Sequence, residues 1–291
     1  MTADLDPSAL DPSDLDPARL EELTRLAERV ARAAGGLVRE RSPEQVRVAA
    51  TKSSATDVVT EMDTAAEALV RELLARERPQ DGLLGEEDGA TSGTSGLTWV
   101  IDPIDGTTNY LHGVPAYAVS VAVVTGDPTV DGAWRPLAGC VHDIPRGETW
   151  TATLGGGAYL DGRRLVAPEP PAMAGALVGT GFGYLPERRR SQGRVLAELL
   201  PRVRDVRRFG SSALDLCAVA AGRLDAYYEQ GLNPWDIAAG VLLVTESGGV
   251  VRGPAGEPAG NRLLLAGPAP LLDELGATLA ELGILDAPGP A

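Results

Sequence analysis

The chain has 291 residues, enough for one large domain or two smaller ones. Hydrophobic residues make up 44% and charged residues 23%, a balance that excludes wholesale disorder, while aromatics at 4% leave Leu, Val and Ala to fill the core. The net charge of −15 argues against nucleic acid and anionic membrane surfaces as partners. No apolar run is long enough for a membrane span, and the acidic N-terminus does not read as a signal peptide. Cys140 and Cys217 sit in apolar runs and read as buried thiols of a cytoplasmic protein. All basic residues but Lys52 are Arg, which singles out Lys52 as a candidate accessory group.

In chain order, residues 1–16 read as a disordered acidic tail in which Asp-Pro recurs at Asp6, Asp11 and Asp16. Asp16-Pro17 opens a helix, with Leu20, Leu23, Ala27, Val30, Ala31 and Ala34 on its apolar face and Gly35-Gly36 as a candidate interruption. A second helix is expected over 61–78, burying Met62, Ala65, Ala66, Leu69 and Leu73. Strands follow at 83–84, 97–101, 117–125, 137–142, 148–153 and 158–160. Residues 167–174 are Pro-rich and mark an internal boundary. Beyond it, strands at 176–180, 205–209, 225–229 and 263–266 alternate with helices at 186–200, 211–222, 234–247 and 269–283. The expected organisation is an α+β half over 17–166 and an α/β half over 167–287.

Carboxylates concentrate beside apolar strands in three places: Gly85-Glu86-Glu87-Asp88, Asp102-Pro103-Ile104-Asp105-Gly106-Thr107-Thr108-Asn109, and Asn233-Pro234-Trp235-Asp236. In the second, Pro103 is read as a turn that aims Asp102 and Asp105 into one space, with the Ile104 carbonyl as a further oxygen. The amides of Gly106, Thr107 and Thr108 then start a helix and face an anion. Hard oxygens beside a phosphate cradle suit Mg²⁺ chemistry on phosphate esters. Taken singly, Asp-Pro and Asp-Gly are also ordinary turn dipeptides, and Asn233 to Asp236 is also an ordinary helix start. His112 and His142 read as packing or solvent residues, and Gly179 to Gly183 as a loop.

Taken together, these segments resemble the inositol monophosphatase family. The run Trp99 to Pro115 (WVIDPIDGTTNYLHGVP) carries most of the specificity. Further matches lie at Lys52-Ser53-Ser54, Thr60 to Asp63, Gly210 to Ala213, Ala226 to Glu229 and Trp235 to Gly240, so the likeness spans roughly residues 18–285. The resemblance implies an α/β (α+β) fold, a layered α-β-α-β-α sandwich, a homodimer, and Mg²⁺-dependent, Li⁺-sensitive hydrolysis of a small phosphate monoester with two or three ions per site.

Carried residue by residue, it implies Glu86, Asp102, the Ile104 carbonyl, Asp105 and Asp236 as metal ligands. Thr107 would orient the attacking water, Asp63 would hydrogen-bond Thr107, and Glu86 would take a proton. Ile104, Asp105, Gly106 and Thr107 on the phosphate side, and Gly210, Ser211, Ser212, Glu229 and Asp236 on the alcohol side, would contact substrate. Lys52 matches a basic position in a loop near the metals. The motif after Asp105 looks most like the branch acting on myo-inositol 1-phosphate. Fructose 1,6-bisphosphate, histidinol phosphate and 3′-phosphoadenosine 5′-phosphate are the alternatives. Animal members carry His where this chain has Asn233. Some bacterial relatives engage transcription machinery, so a binding protein is the reading of a different class.

Overall fold

Apolar runs bounded by Gly, Pro and Asp become strands, and the amphipathic stretches between them become helices that cover both faces of those strands. The computed structural model describes residues 16–41, 48–51, 58–167 and 169–286; the acidic tail to residue 15 and Lys52 lie outside this set. Helix α1 (Pro17–Glu40) is followed by a two-stranded antiparallel ribbon of β1 (Val48–Thr51) and β2 (Val58–Thr60), then by α2 (Glu61–Glu77). A mixed sheet is built from β3 (Gly82–Gly85), β4 (Gly89–Thr91), β5 (Leu97–Asp105), β6 (Ala118–Gly126), β7 (Trp134–Asp143), β8 (Thr149–Thr153), β9 (Gly157–Leu160) and β10 (Arg163–Arg164), with the short helix α3 (Thr107–Leu111) between β5 and β6. The order across it is β10-β9-β8-β7-β6-β5-β3-β4, and β3 runs parallel to β5.

The second sheet takes the order β12-β11-β13-β15-β14, from β11 (Leu177–Thr180), β12 (Asp205–Arg207), β13 (Ala226–Glu229), β14 (Val250–Arg252) and β15 (Leu264–Gly267). Its helices are α4 (Pro186–Leu199), α5 (Ser212–Ala220), α6 (Pro234–Glu246) and α7 (Ala269–Glu281).

Strand alternation sorts the side chains into layers. Trp99 and Ile101 of β5 pack with Leu23, Ala27, Val30 and Val70 of α1 and α2 on one face of the large sheet. Val100, between them, joins Leu216, Cys217, Ile237, Leu242 and Leu243 of α5 and α6 on the other. The same cluster reaches Tyr227, Leu264 and Ala266 of the second sheet, so α5 and α6 form a middle layer between the sheets. All nine residues of α5 are buried. On the far face of the second sheet, Val178, Ala226 and Tyr228 pack against Val195, Leu199, Leu272 and Leu275 of α4 and α7. The result is the α-β-α-β-α sandwich that the family resemblance implied. Cys140 and Cys217 are both buried free thiols.

Two helix expectations are corrected. Helix α1 runs unbroken through Gly35-Gly36. Gly35 is there for close approach, because a Cβ would lie 2.5 Å from His142 Cδ2 of β7. Helix α2 buries Met62, Asp63, Ala66, Glu67, Val70 and Leu74, while Ala65 is exposed and Leu69 and Leu73 are only half-buried. The helix is rotated from its purely apolar face because two acids, Asp63 and Glu67, find hydrogen-bond partners in the interior.

Candidate active site

The end of β5 sets the geometry. Residues three apart on a regular strand point to opposite faces. Here Asp102 pairs with Ser120 and Asp105 with Ala118, so three steps on β5 oppose two on β6. This bulge turns both carboxylates to one side. The sequence reading of Pro103 as a turn is thereby corrected: Pro103-Ile104 is an irregularity within a strand that continues to Asp105. A bulge is also where a strand tolerates a residue with no N–H. The Ile104 amide donates to Asp102 Oδ1 at 3.0 Å and closes the bulge.

The third carboxylate comes from the first turn of α6. Asp236 Oδ2 accepts from the Asn233 amide at 2.6 Å. Helix start and candidate ligand are thus the same residue, one oxygen capping and the other free to turn inward. Asp102, Asp105 and Asp236 each offer an oxygen, and these atoms lie within 4.8 Å of one another. Glu86 arrives from β3: Gly85 is in register with Ile101, and the Glu86 amide donates to the Ile101 carbonyl at 3.2 Å, which sets Glu86 beside Asp102.

The electrostatics follow from this crowding. Burial, then repulsion from Glu86, Asp105 and Asp236, holds the Asp102 carboxyl well above the usual range. Burial, then repulsion from Asp105 and Glu86, does the same to Asp236. Burial also raises Asp105, but bonds from the Ser211 hydroxyl (2.7 Å) and the Ala213 amide (2.6 Å) to Oδ2 oppose it. A buried set of hard oxygens whose ionised forms repel one another fits a divalent cation such as Mg²⁺.

Next to the acids, Gly106 adopts φ 98°, and a Cβ there would sit 2.8 Å from the Ala116 carbonyl oxygen, so only glycine fits where α3 begins. Thr107 Oγ1 lies 2.9 Å from Asp63 Oδ1 and 3.0 Å from the Ile104 carbonyl oxygen. Asp63 Oδ2 in turn accepts from the Thr60 amide at 2.8 Å, which welds the start of α2 to the start of α3. The Asn109 side-chain amide donates to the carbonyls of Ala116 (2.7 Å) and Phe209 (2.8 Å), tying the loop before Gly210 to the same corner.

Of the alcohol-side candidates, Ser211 is spent on Asp105, and the Ser212 hydroxyl donates to the Asp236 carbonyl at 3.4 Å. Gly210 supplies a left-handed turn, φ 86°. Glu229, at the end of β13, lies within electrostatic reach of Asp105; burial raises its carboxyl to about 7, against bonding from Tyr227 and the charge of Arg208, which lower it. His112 is exposed, and His142 is buried with Nδ1 2.9 Å from Thr149 Oγ1, so neither joins the acids.

Sequence reasoning overlooked the Ala213 amide, the Tyr227 hydroxyl that donates to Glu229, and Asp215, a buried acid whose Oδ1 has no hydrogen-bond partner among the described residues. Asp215 had a signal: an acid inside the apolar run LDLC.

Comparison with known proteins agrees with this architecture. The inositol monophosphatase family model matches residues 19–283. Inositol-1-monophosphatase SuhB of Mycobacterium tuberculosis is 42% identical over 283 residues, covering 91% of this chain and 95% of that protein. Nus factor SuhB of Escherichia coli K12 is 38% identical over 250 residues, covering 85% and 90%. The crystal structure of the extragenic suppressor protein suhB from Bartonella henselae superposes with a TM-score of 0.81 at 31% identity, over 89% of this chain and 98% of that one. The chain belongs to the inositol monophosphatase family.

Proposed function

We propose that this chain is a Mg²⁺-dependent phosphomonoesterase that hydrolyses myo-inositol 1-phosphate to inositol and phosphate. The observation that carries the reading is the convergence of Asp102, Asp105 and Asp236 within 4.8 Å, beside a Thr107 already bonded to an acid. Glu86, Asp102, the Ile104 carbonyl, Asp105 and Asp236 are the residues that would hold the cations, two or three of them. Mg²⁺ bound there would polarise the phosphoryl group, acidify a water and offset the charge of the departing alkoxide.

The chain's own residues then orient and move protons. Thr107 donates a hydrogen bond to Asp63, which leaves its oxygen to accept one from the attacking water. Glu86 takes the proton that the water loses, and the departing alkoxide takes a proton from solvent water to leave as the alcohol. The amides of Gly106 and Thr107 receive phosphate oxygens. Tyr227 occupies one oxygen of Glu229, leaving the other for a substrate hydroxyl, with Gly210 and Asp236 beside it. Ser211 and Ser212 line the alcohol side while their hydroxyl protons hold Asp105 and the Asp236 carbonyl. In this reading residues 17–166 carry most of the metal motifs, and residues 167–287 bring Asp236 and the alcohol pocket. The same reading makes the protein a cytoplasmic, Li⁺-sensitive homodimer.

The test is phosphate release with Mg²⁺ and with EDTA from myo-inositol 1-phosphate, fructose 1,6-bisphosphate, histidinol phosphate and 3′-phosphoadenosine 5′-phosphate. The expected result is Mg²⁺-dependent release with the highest kcat/KM on myo-inositol 1-phosphate. A higher value on another ester moves the assignment to that substrate. No release from any of them favours the regulatory reading, which the Nus factor name of the E. coli relative suggests.

A further inference from the structure

Glu67 is a fully buried carboxylate in the middle of α2, one turn beyond Asp63. The two acids lie on the same face of the helix. Asp63 reaches the start of α3, whereas Glu67 reaches the turn between β3 and β4. Glu67 Oε2 accepts from the Glu87 amide at 2.8 Å, and Oε1 accepts from the Asp88 amide at 3.0 Å. Arg71, one turn further on, donates from Nε to Glu67 Oε1 at 2.8 Å and from Nη2 to the Gly89 carbonyl at 2.5 Å. Both oxygens are therefore committed to the backbone that follows Glu86.

Burying a charge is costly, and here the cost is offset by the Arg71 guanidinium and by two amides of the three-residue turn that point at the carboxylate. Gly85 belongs to the same device. A Cβ there would lie 2.1 Å from Glu67 Oε1, so the carboxylate fills the space a side chain would take. Immediately upstream of the gripped amides, Glu86 leaves the sheet beside Asp102. Gly85, Glu86 and Glu67 thus form one mechanical unit.

We propose that Glu67 is a positioning residue for Glu86: by holding the amides of Glu87 and Asp88 it fixes the direction in which Glu86 presents its carboxylate to the cation site. This rests on the metal-site reading above, in which Glu86 is a ligand. Groups that orient metal ligands typically contribute 10–100-fold to metal affinity.

The test measures Mg²⁺ affinity by calorimetric titration of the whole protein, alongside the metal-free melting temperature. Glu67→Gln retains only one acceptor oxygen and turns an NH₂ toward amides, and its Mg²⁺ dissociation constant is expected to rise by about 10–100-fold. Asp81→Asn is the structural control. Asp81 is a buried acid bonded to Trp99 Nε1 at 2.9 Å and to Arg78, and it precedes β3 at the end away from Glu86. It is expected to lower the melting temperature and leave Mg²⁺ affinity unchanged. Arg71→Gln loosens the grip of Glu67 from the partly exposed side, so it provides a second, milder variant that is expected to shift Mg²⁺ affinity in the same direction. A Glu67→Gln protein, or if it does not fold an Arg71→Gln protein, that loses thermal stability but keeps wild-type Mg²⁺ affinity overturns the proposal and leaves the metal-site reading standing. A wild type with no Mg²⁺ binding at all overturns both.

Discussion

Thr107 has one hydroxyl proton and two acceptors within reach, Asp63 and the Ile104 carbonyl, so the hydroxyl is committed as a donor and keeps its acceptor capacity. Replacing it with Ala removes an acceptor and one hydrogen bond to Asp63, and leaves the proposed metal-ligating carboxylates untouched. Thr107→Ala is expected to lower kcat by about 10²–10⁴-fold with Mg²⁺ affinity nearly unchanged; steady-state kinetics at several Mg²⁺ concentrations check this, and unchanged kcat would remove Thr107 from the reaction. Glu229 carries a pH consequence. Its carboxyl is raised from an ordinary value of 4.5 to about 7, so the folded protein binds the proton more tightly than the unfolded chain. The stabilisation is complete below about pH 4.5 and is lost as pH rises through about 7. The metal-free protein is therefore expected to melt at progressively lower temperature from pH 5 to pH 8, and Glu229→Gln to show a shallower decline. An equal slope in both proteins would contradict the assignment.

Adjacent glycines in α1 make opposite predictions. Gly35 abuts His142, whereas a Cβ on Gly36 would meet none of the described residues within 4 Å. Gly36→Ala gains helix propensity and is expected to raise stability by roughly 0.5–1 kcal/mol. Gly35→Ala forces His142 from its bond with Thr149 and is expected to cost about 1–3 kcal/mol; denaturant melts of the two variants decide it. The pair also shows what was legible in the sequence. Periodicity located α1, but a double glycine looks the same whether it ends a helix or admits a neighbour 107 positions along, from 35 to 142. On α2 the apolar pattern misjudged the buried face because Asp63 and Glu67 count as polar until their partners are known. Strands β5 to β9 were readable because their Val, Ile and aromatic runs are bounded by turn residues. The short strand β4 carries no such pattern, and β14 offers only Val250-Val251, a run too short to stand out.

At the scale of the molecule, one apolar cluster joins both sheets through α5 and α6, and the acid site lies where those helices start. Asp102 and Asp105 drew notice in the sequence as acids at the end of an apolar strand, where an acid needs a partner, whereas Asp236 sits in an ordinary helix start and joined them only through the family resemblance. The bonds that orient them were not legible. Ser211 and Ala213 reach Asp105 only once the middle layer has brought α5 against β5, and no local spacing encodes that contact. A cation that binds only the folded chain stabilises it by mass action, roughly 2.7 kcal/mol at a hundred times the dissociation constant. The direct measurement is therefore a Mg²⁺ titration of melting temperature for the wild type and Asp102→Asn, with phosphate release followed alongside. Asn keeps one neutral oxygen but removes a charge from the centre of the cluster. The wild type is expected to gain several degrees from Mg²⁺, while Asp102→Asn folds without metal and loses most of that gain together with turnover. An Asp102→Asn protein with the wild-type Mg²⁺ response and wild-type phosphate release would contradict the assignment of this site.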